Sequence, residues 1–91
     1  MYAVVTRASI KPGRKDDVVG MTNSMAIPML KSEAGHVASY FTVSPDGSRG
    51  VAISVFESKE QAESSAANVT PPSDGPFDDL AVEVCEVIGS I

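Results

Sequence analysis

Three runs of this sequence are apolar on both of their alternating faces. Successive side chains of a β-strand point to opposite sides, so a strand with one wet face should alternate apolar and polar residues. Residues 2–10 place Tyr2, Val4, Thr6, Ala8 and Ile10 on one side and Ala3, Val5, Arg7 and Ser9 on the other. Residues 36–44 set Val37, Phe41 and Val43 against Ala38 and Tyr40, and residues 51–56 set Val51, Ile53 and Val55 against Ala52 and Phe56. All three are rich in the β-branched and aromatic residues that suit a pleated surface. A fold built from them must cover both sides of its sheet.

The segments between these runs indicate what covers one side. Lys11-Pro12-Gly13 stops the first strand, because Pro12 has no amide for the ladder. Residues 14–34 then follow helical spacing. Val18, Met21, Met25 and Met29 form an apolar stripe, widened by Val19, Ala26 and Leu30, and Asp16 and Asp17 suit the first turn. Pro28 falls inside the pattern, removes the bond to the Ser24 carbonyl, and should kink the helix or end it early; Gly35 is the natural left-handed stop. Pro45 to Gly50 is a turn-rich loop that joins the second and third strands as a hairpin.

Ser58 and Gln61 have the spacing of a capping box, which opens a helix over 59–69. Its inner face is small: Ala62, Ala66 and Val69. A loop over 71–76 precedes a fourth strand over 81–88. The order β-α-β-β-α-β, within one domain over residues 1–91, predicts a ferredoxin-like α+β fold. Its four-stranded antiparallel sheet would carry both helices on one face. The other face would then expose more apolar surface than monomers normally do. Two copies packed sheet to sheet would bury it, so a homodimer with a central α+β barrel is expected.

Composition narrows the function. The 91 residues hold 12 acidic and 7 basic side chains, a net charge of −5. The excess sits in the second half, which repels phosphate, so nucleic acid is not an expected partner. No apolar stretch approaches the roughly 20 residues of a membrane span, and the first strand is too interrupted to be a secretory segment. Cys85 has no second cysteine to pair with, which points to a reducing cytoplasm. One cysteine and one histidine cannot build a zinc site, and there is no acidic calcium loop, so no metal or other cofactor is expected. Glu83 and Glu86 near Cys85 oppose a thiolate there.

Few side chains remain as candidates for chemistry. His36 carries the sole imidazole and could deprotonate a phenolic substrate, although the sequence supplies no partner to orient it. An edge-strand histidine in solvent is the plainer alternative. Thr6 and Ser54 could line a pocket or simply bond to the backbone. Tyr40 could donate to a substrate carbonyl, or pack with a wet tip. Met25 could adapt to a ligand of variable shape, or fill the core. Arg7 could hold a carboxylate or pair with an acid across the dimer.

The stretches VVTRASIKPG (4–13), EAGHVASY (33–40) and VAISVFESKEQA (51–62) resemble the antibiotic-biosynthesis-monooxygenase-like group of dimeric α+β barrels. The resemblance implies a ferredoxin-like dimer with a pocket between sheet and helices in each subunit. Proteins of this group include cofactor-independent oxygenases acting on aromatic polyketides or quinols, haem-degrading enzymes, and many proteins of unknown function. Thr6 stands where the haem-degrading branch has asparagine and Ser65 where it has tryptophan, and no histidine follows His36; this disfavours haem. Phe56 and Ser54 also replace the tryptophan and glutamate of many relatives. The expected function is therefore a cofactor-independent, monooxygenase-like protein for a small aromatic or quinol-type molecule. The alternative is a non-catalytic ligand-binding or regulatory homodimer.

Overall fold

A computed structural model describes residues 1–69 and 74–91, so positions 71–73 of the expected loop over 71–76 lie outside the described residues. The elements are β1 (Tyr2–Ile10), α1 (Lys15–Met21), a π-helical turn (Thr22–Ala26), α2 (Ile27–Lys31), β2 (His36–Val43), β3 (Arg49–Phe56), α3 (Lys59–Ala67) and β4 (Phe77–Glu86). The sheet order is β2-β3-β1-β4, with every neighbouring pair antiparallel. This is the expected ferredoxin-like β-α-β-β-α-β arrangement.

Val4 of β1, Phe56 of β3, Leu30 of α2 and Ala62 of α3 form one buried cluster, so both helical segments cover the same side of the sheet. Phe56 and Ala62 are completely buried. Tyr2, Phe41, Ala66, Val82 and Val84 pack around them. Because Ala62 is so small, α3 approaches the sheet closely, and the Phe56 ring fills the space this leaves.

The helix expected over 14–34 is interrupted and stops at Lys31. Ser32 closes its last turn, with both its amide and its hydroxyl donating to the Met29 carbonyl. Gly35 does adopt the left-handed conformation, at φ 78°, but in a turn beyond the helix rather than at its cap. A Cβ there would overlap the Gln61 side chain, which the capping box holds in place. That box is present as expected: the Ser58 hydroxyl accepts the Gln61 amide, and the Gln61 side chain accepts the Ser58 amide. Helix α3 ends at Ala67, two residues short of expectation, because Asn68 and Val69 donate three residues back in a tighter final turn.

The strand ends also differ from expectation. Strand β2 stops at Val43, and β3 begins at Arg49 rather than Val51, because the Ser44 amide donates to the Arg49 carbonyl and extends the hairpin ladder. Strand β4 runs over 77–86 instead of 81–88. Its early part passes through a register shift, with Asp79 in the left-handed region at φ 52°, a conformation aspartate tolerates. Beyond its last strand residue, Glu86, Val87 makes one more bond to the Met1 carbonyl, and Ile88 is left in solvent.

In the β2–β3 hairpin, one carboxylate oxygen of Asp46 accepts bonds from the Ser44 hydroxyl and from the Ser48 amide and hydroxyl. These bonds, the Ser44 hydroxyl foremost, lower its pKa from 3.8 to about 2. A depressed carboxylate pKa contributes stability above the unfolded value, and that stability is lost as pH falls through the folded value. The melting-temperature difference between the native chain and Asp46→Asn should therefore persist above pH 3.8 and shrink as pH falls to about 2.

Among the described residues, no helix is long and apolar enough to cross a membrane.

Candidate functional site

The interrupted helix is anchored at its two ends. Val18 is buried near the start and Leu30 reaches the core near the end, whereas the π-helical turn between them has no buried residue. The middle of the helix therefore spans the sheet without resting on it. A cavity of about 720 Å³ occupies the gap. This is within the usual range for small-molecule sites.

Its floor is the helix-side face of the sheet, including Val4, Thr6, Phe41, Ala52 and Ser54. The interrupted helix contributes Val18, Met21, Met25 and Met29, and α3 contributes Ser65. Met25 and Met29 are 63% and 49% exposed, so they border the cavity and do not fill the core. Ser54 and Ser65 are the buried polar residues of the described chain.

The π-helical turn has a local cause. Pro28 has no amide to give the Ser24 carbonyl, and the Ile27 amide reaches back five residues to Thr22. The side chains of Thr22, Asn23 and Ser24 donate in turn to the carbonyls of Val18, Val19 and Gly20. Such back-bonding loosens and bends a helix, and π-helical turns concentrate at functional sites. Here the turn carries Met25 over the cavity.

A chain of polar groups leads out of the cavity wall. Ser39 and Ser54 are cross-strand partners, and the Ser39 hydroxyl donates to Ser54 Oγ over 2.8 Å. His36 Nε2 lies 2.6 Å from Ser39 Oγ. In a regular strand, residues three apart lie on opposite faces. A register shift between His36 and Ala38 adds one residue and returns His36 to the side of Ser39. The imidazole also meets Phe56 edge to face, with centroids 5.6 Å apart. His36 thus has the orienting partner that the sequence did not supply.

The structure places Thr6, Met25 and Ser54 around the cavity. Tyr40 borders it as well, but pairs with Ile53 on the opposite face, where its side chain is 69% exposed. The sequence reasoning missed Ser39 and Ser65. Ser39 shares the two-residue period of Phe41, so an inward Phe41 is the signal that could have found it. Arg7 bonds Glu83 within the chain at 2.6 Å, on the open face, and this hydrogen bond raises its pKa. A second concavity, of about 440 Å³, lies beside Arg7, Arg49 and Asp79; its charges are mixed. Among the described residues, no group of three or more histidine, cysteine or acidic side chains could hold a metal ion.

No family model and no curated protein matches the chain. Solved structures match it over nearly its whole length. The heme-degrader MhuD from Mycobacterium tuberculosis, with two hemes bound in its active site, is 12% identical with a TM-score of 0.73, covering 100% of this chain and 99% of its own. A protein of unknown function from Nitrosomonas europaea is 17% identical with a TM-score of 0.71, covering 99% and 91%. The monooxygenase ActVA-Orf6 of Streptomyces coelicolor, in complex with Nanaomycin D, is 16% identical with a TM-score of 0.68, covering 99% and 89%. The chain therefore shares the ferredoxin-like α+β fold of these three structures.

Proposed function

We propose that this protein binds a small aromatic molecule with an acidic hydroxyl, of phenol or quinol type, and acts on it as a cofactor-independent monooxygenase. The observation that carries the proposal is the cavity between helix and sheet: apolar over most of its wall, with the hydroxyls of Thr6, Ser39, Ser54 and Ser65 set into it. An apolar wall suits a flat ring, and a few fixed hydroxyls suit its polar edge. An ionised phenol or quinol reacts with dioxygen far more readily than its neutral form. Positioning, deprotonation and exclusion of water are thus what the protein must supply. The fold likeness to a monooxygenase holding Nanaomycin D supports the same reading.

Haem degradation has less support. His36 is bonded to Ser39 and does not line the cavity. The other reading is a binding or regulatory protein without turnover.

Thermal shift and oxygen-electrode measurements with naphthols, anthrones and quinols separate the possibilities. A ligand at a hundred times its Kd should raise stability by about 2.7 kcal/mol. Oxygen uptake with that ligand supports the enzyme. Saturable binding without uptake supports the regulatory protein, and no binding across the panel overturns both.

The same reading includes a second copy of the chain. The open sheet face carries Val5, Val51, Ile53, Val55 and Tyr40, with Val51 and Ile53 37% and 41% exposed. A face of this kind is complementary to itself about a two-fold axis, so a homodimer closes it.

A further inference from the structure

We infer that His36, Ser39 and Ser54 form a proton relay, which carries the hydroxyl proton of a phenol or enol bound in the cavity out to the imidazole. The inference rests on the proposed phenol-type ligand and names the group that receives its proton. Ser54 is 7% exposed and belongs to the cavity wall. Its hydroxyl is bonded to Ser39, and Ser39 is within hydrogen-bond distance of His36 Nε2. His36 itself does not line the cavity. Ser39 also belongs to the cavity wall, so a ligand reaches the imidazole through Ser39, directly or by way of Ser54.

Hydroxyl hydrogens rotate, so this chain can run in either direction. Outward, the ligand hydroxyl donates to Ser54, Ser54 to Ser39, and Ser39 to the Nε2 lone pair. The ligand O–H bond breaks, each serine loses one proton as it gains another, and an N–H bond forms at Nε2. The products are a phenolate or enolate in the cavity and an imidazolium at its border; no electrons are transferred. Inward, the imidazolium donates to Ser39 and Ser39 to Ser54, as the bond from Ser39 to Ser54 now runs. Ser54 then donates to the ligand anion. The same three residues thus remove the proton and hold the charge that results.

Two acidic residues meet the backbone next to His36. Glu33 precedes it in the turn, where the Glu33 carbonyl accepts the His36 amide. One carboxylate oxygen of Glu33 is buried and has no hydrogen-bond partner among the described residues. Glu57 follows β3, and its amide donates to the Gly35 carbonyl. The relay shows itself as a difference in His36 protonation between the free and the ligand-bound protein.

The test uses 4-nitrophenol, which absorbs visible light as the phenolate. His36 is the only histidine, so its imidazole nitrogen signals assign themselves. Phenolate absorbance and His36 protonation are followed across the neutral pH range, with and without probe. In the native protein the bound probe should ionise about one pH unit below the free probe, a tenfold change. His36 should stay protonated about one unit higher than without probe.

At saturating probe Ser39→Ala should lose both shifts, and Ser39→Thr should keep them. His36→Gln should bind the probe and lose its shift. Ionisation of the bound probe while His36 stays neutral overturns the relay, as does persistence of both shifts in Ser39→Ala. Should Ser39→Ala fail to fold, the coupled shifts in the native protein and in Ser39→Thr decide the matter. If 4-nitrophenol does not bind the native protein, the phenol-type reading falls and the relay falls with it. Binding without coupled shifts overturns the relay alone.

Discussion

Phe56→Ala should lower the unfolding free energy by about 3–5 kcal/mol, the cost of removing a fully buried phenyl ring from a core that cannot collapse around the void. Phe56 is completely buried in the four-residue cluster that joins β1, β3, α2 and α3. In a domain of this size each kcal/mol moves the melting temperature by about 4–8 °C. The variant should thus be largely unfolded at temperatures where the native chain is folded. Circular dichroism melting reads the change directly. The ring is also the surface against which His36 rests edge-on. Phe56→Leu should recover most of the stability but not the orientation of the imidazole. A melting temperature within a few degrees of native for Phe56→Ala would mean that the cluster is not the core.

Ile53→Asp should convert the proposed dimer to monomer. Ile53 sits on β3 among Val5, Tyr40 and Val55, and its side chain is accessible in the single chain. In a face-to-face dimer two-fold symmetry places one new carboxylate from each copy in the seam, and an uncompensated buried charge costs several kcal/mol. Association should weaken by at least about a hundredfold. Analytical ultracentrifugation gives the result: two chains per particle for the native protein, one for the variant. Because Ile53 faces away from the helices, the monomeric variant should keep its circular dichroism spectrum. A native protein that sediments as a single chain at micromolar concentration overturns the dimer.

The order of elements was legible because each signal was local. Enrichment in Val, Ile, Thr and Tyr marked β1, the Ser58–Gln61 pair marked α3, and Pro28 marked a break in the first helix. Features that depend on pairing were not legible. The start of β4 was hidden by Asp78 and Asp79, which interrupt the apolar pattern while the strand continues through its register shift. Its end was hidden because it depends on the pairing with β1. The π-helical turn needs the joint effect of Pro28 and three side chains bonding to carbonyls, and periodicity alone does not register that.

The candidate site shows the same division. Thr6, Met25 and Ser54 could be singled out by residue type, but not the face on which they meet. The inward side of a strand is set by what packs on it, here Leu30 and Ala62. Tyr40 was a plausible ligand contact by type, and parity turned its ring to the opposite side. The pairing of His36 with Ser39 was masked most completely. Their spacing of three contradicts a shared face, and a single extra residue in the strand reverses that rule.

The helix that is pinned at Val18 and Leu30 and unsupported between them has an evolutionary consequence. Exchanging a side chain at Met21 or Met25 alters what the chamber admits and barely touches the contacts that keep the domain folded. Selectivity and integrity thus reside in separate sets of residues. A lineage carrying this architecture can drift toward new small molecules by revising one span of backbone, with little risk to the rest of the molecule.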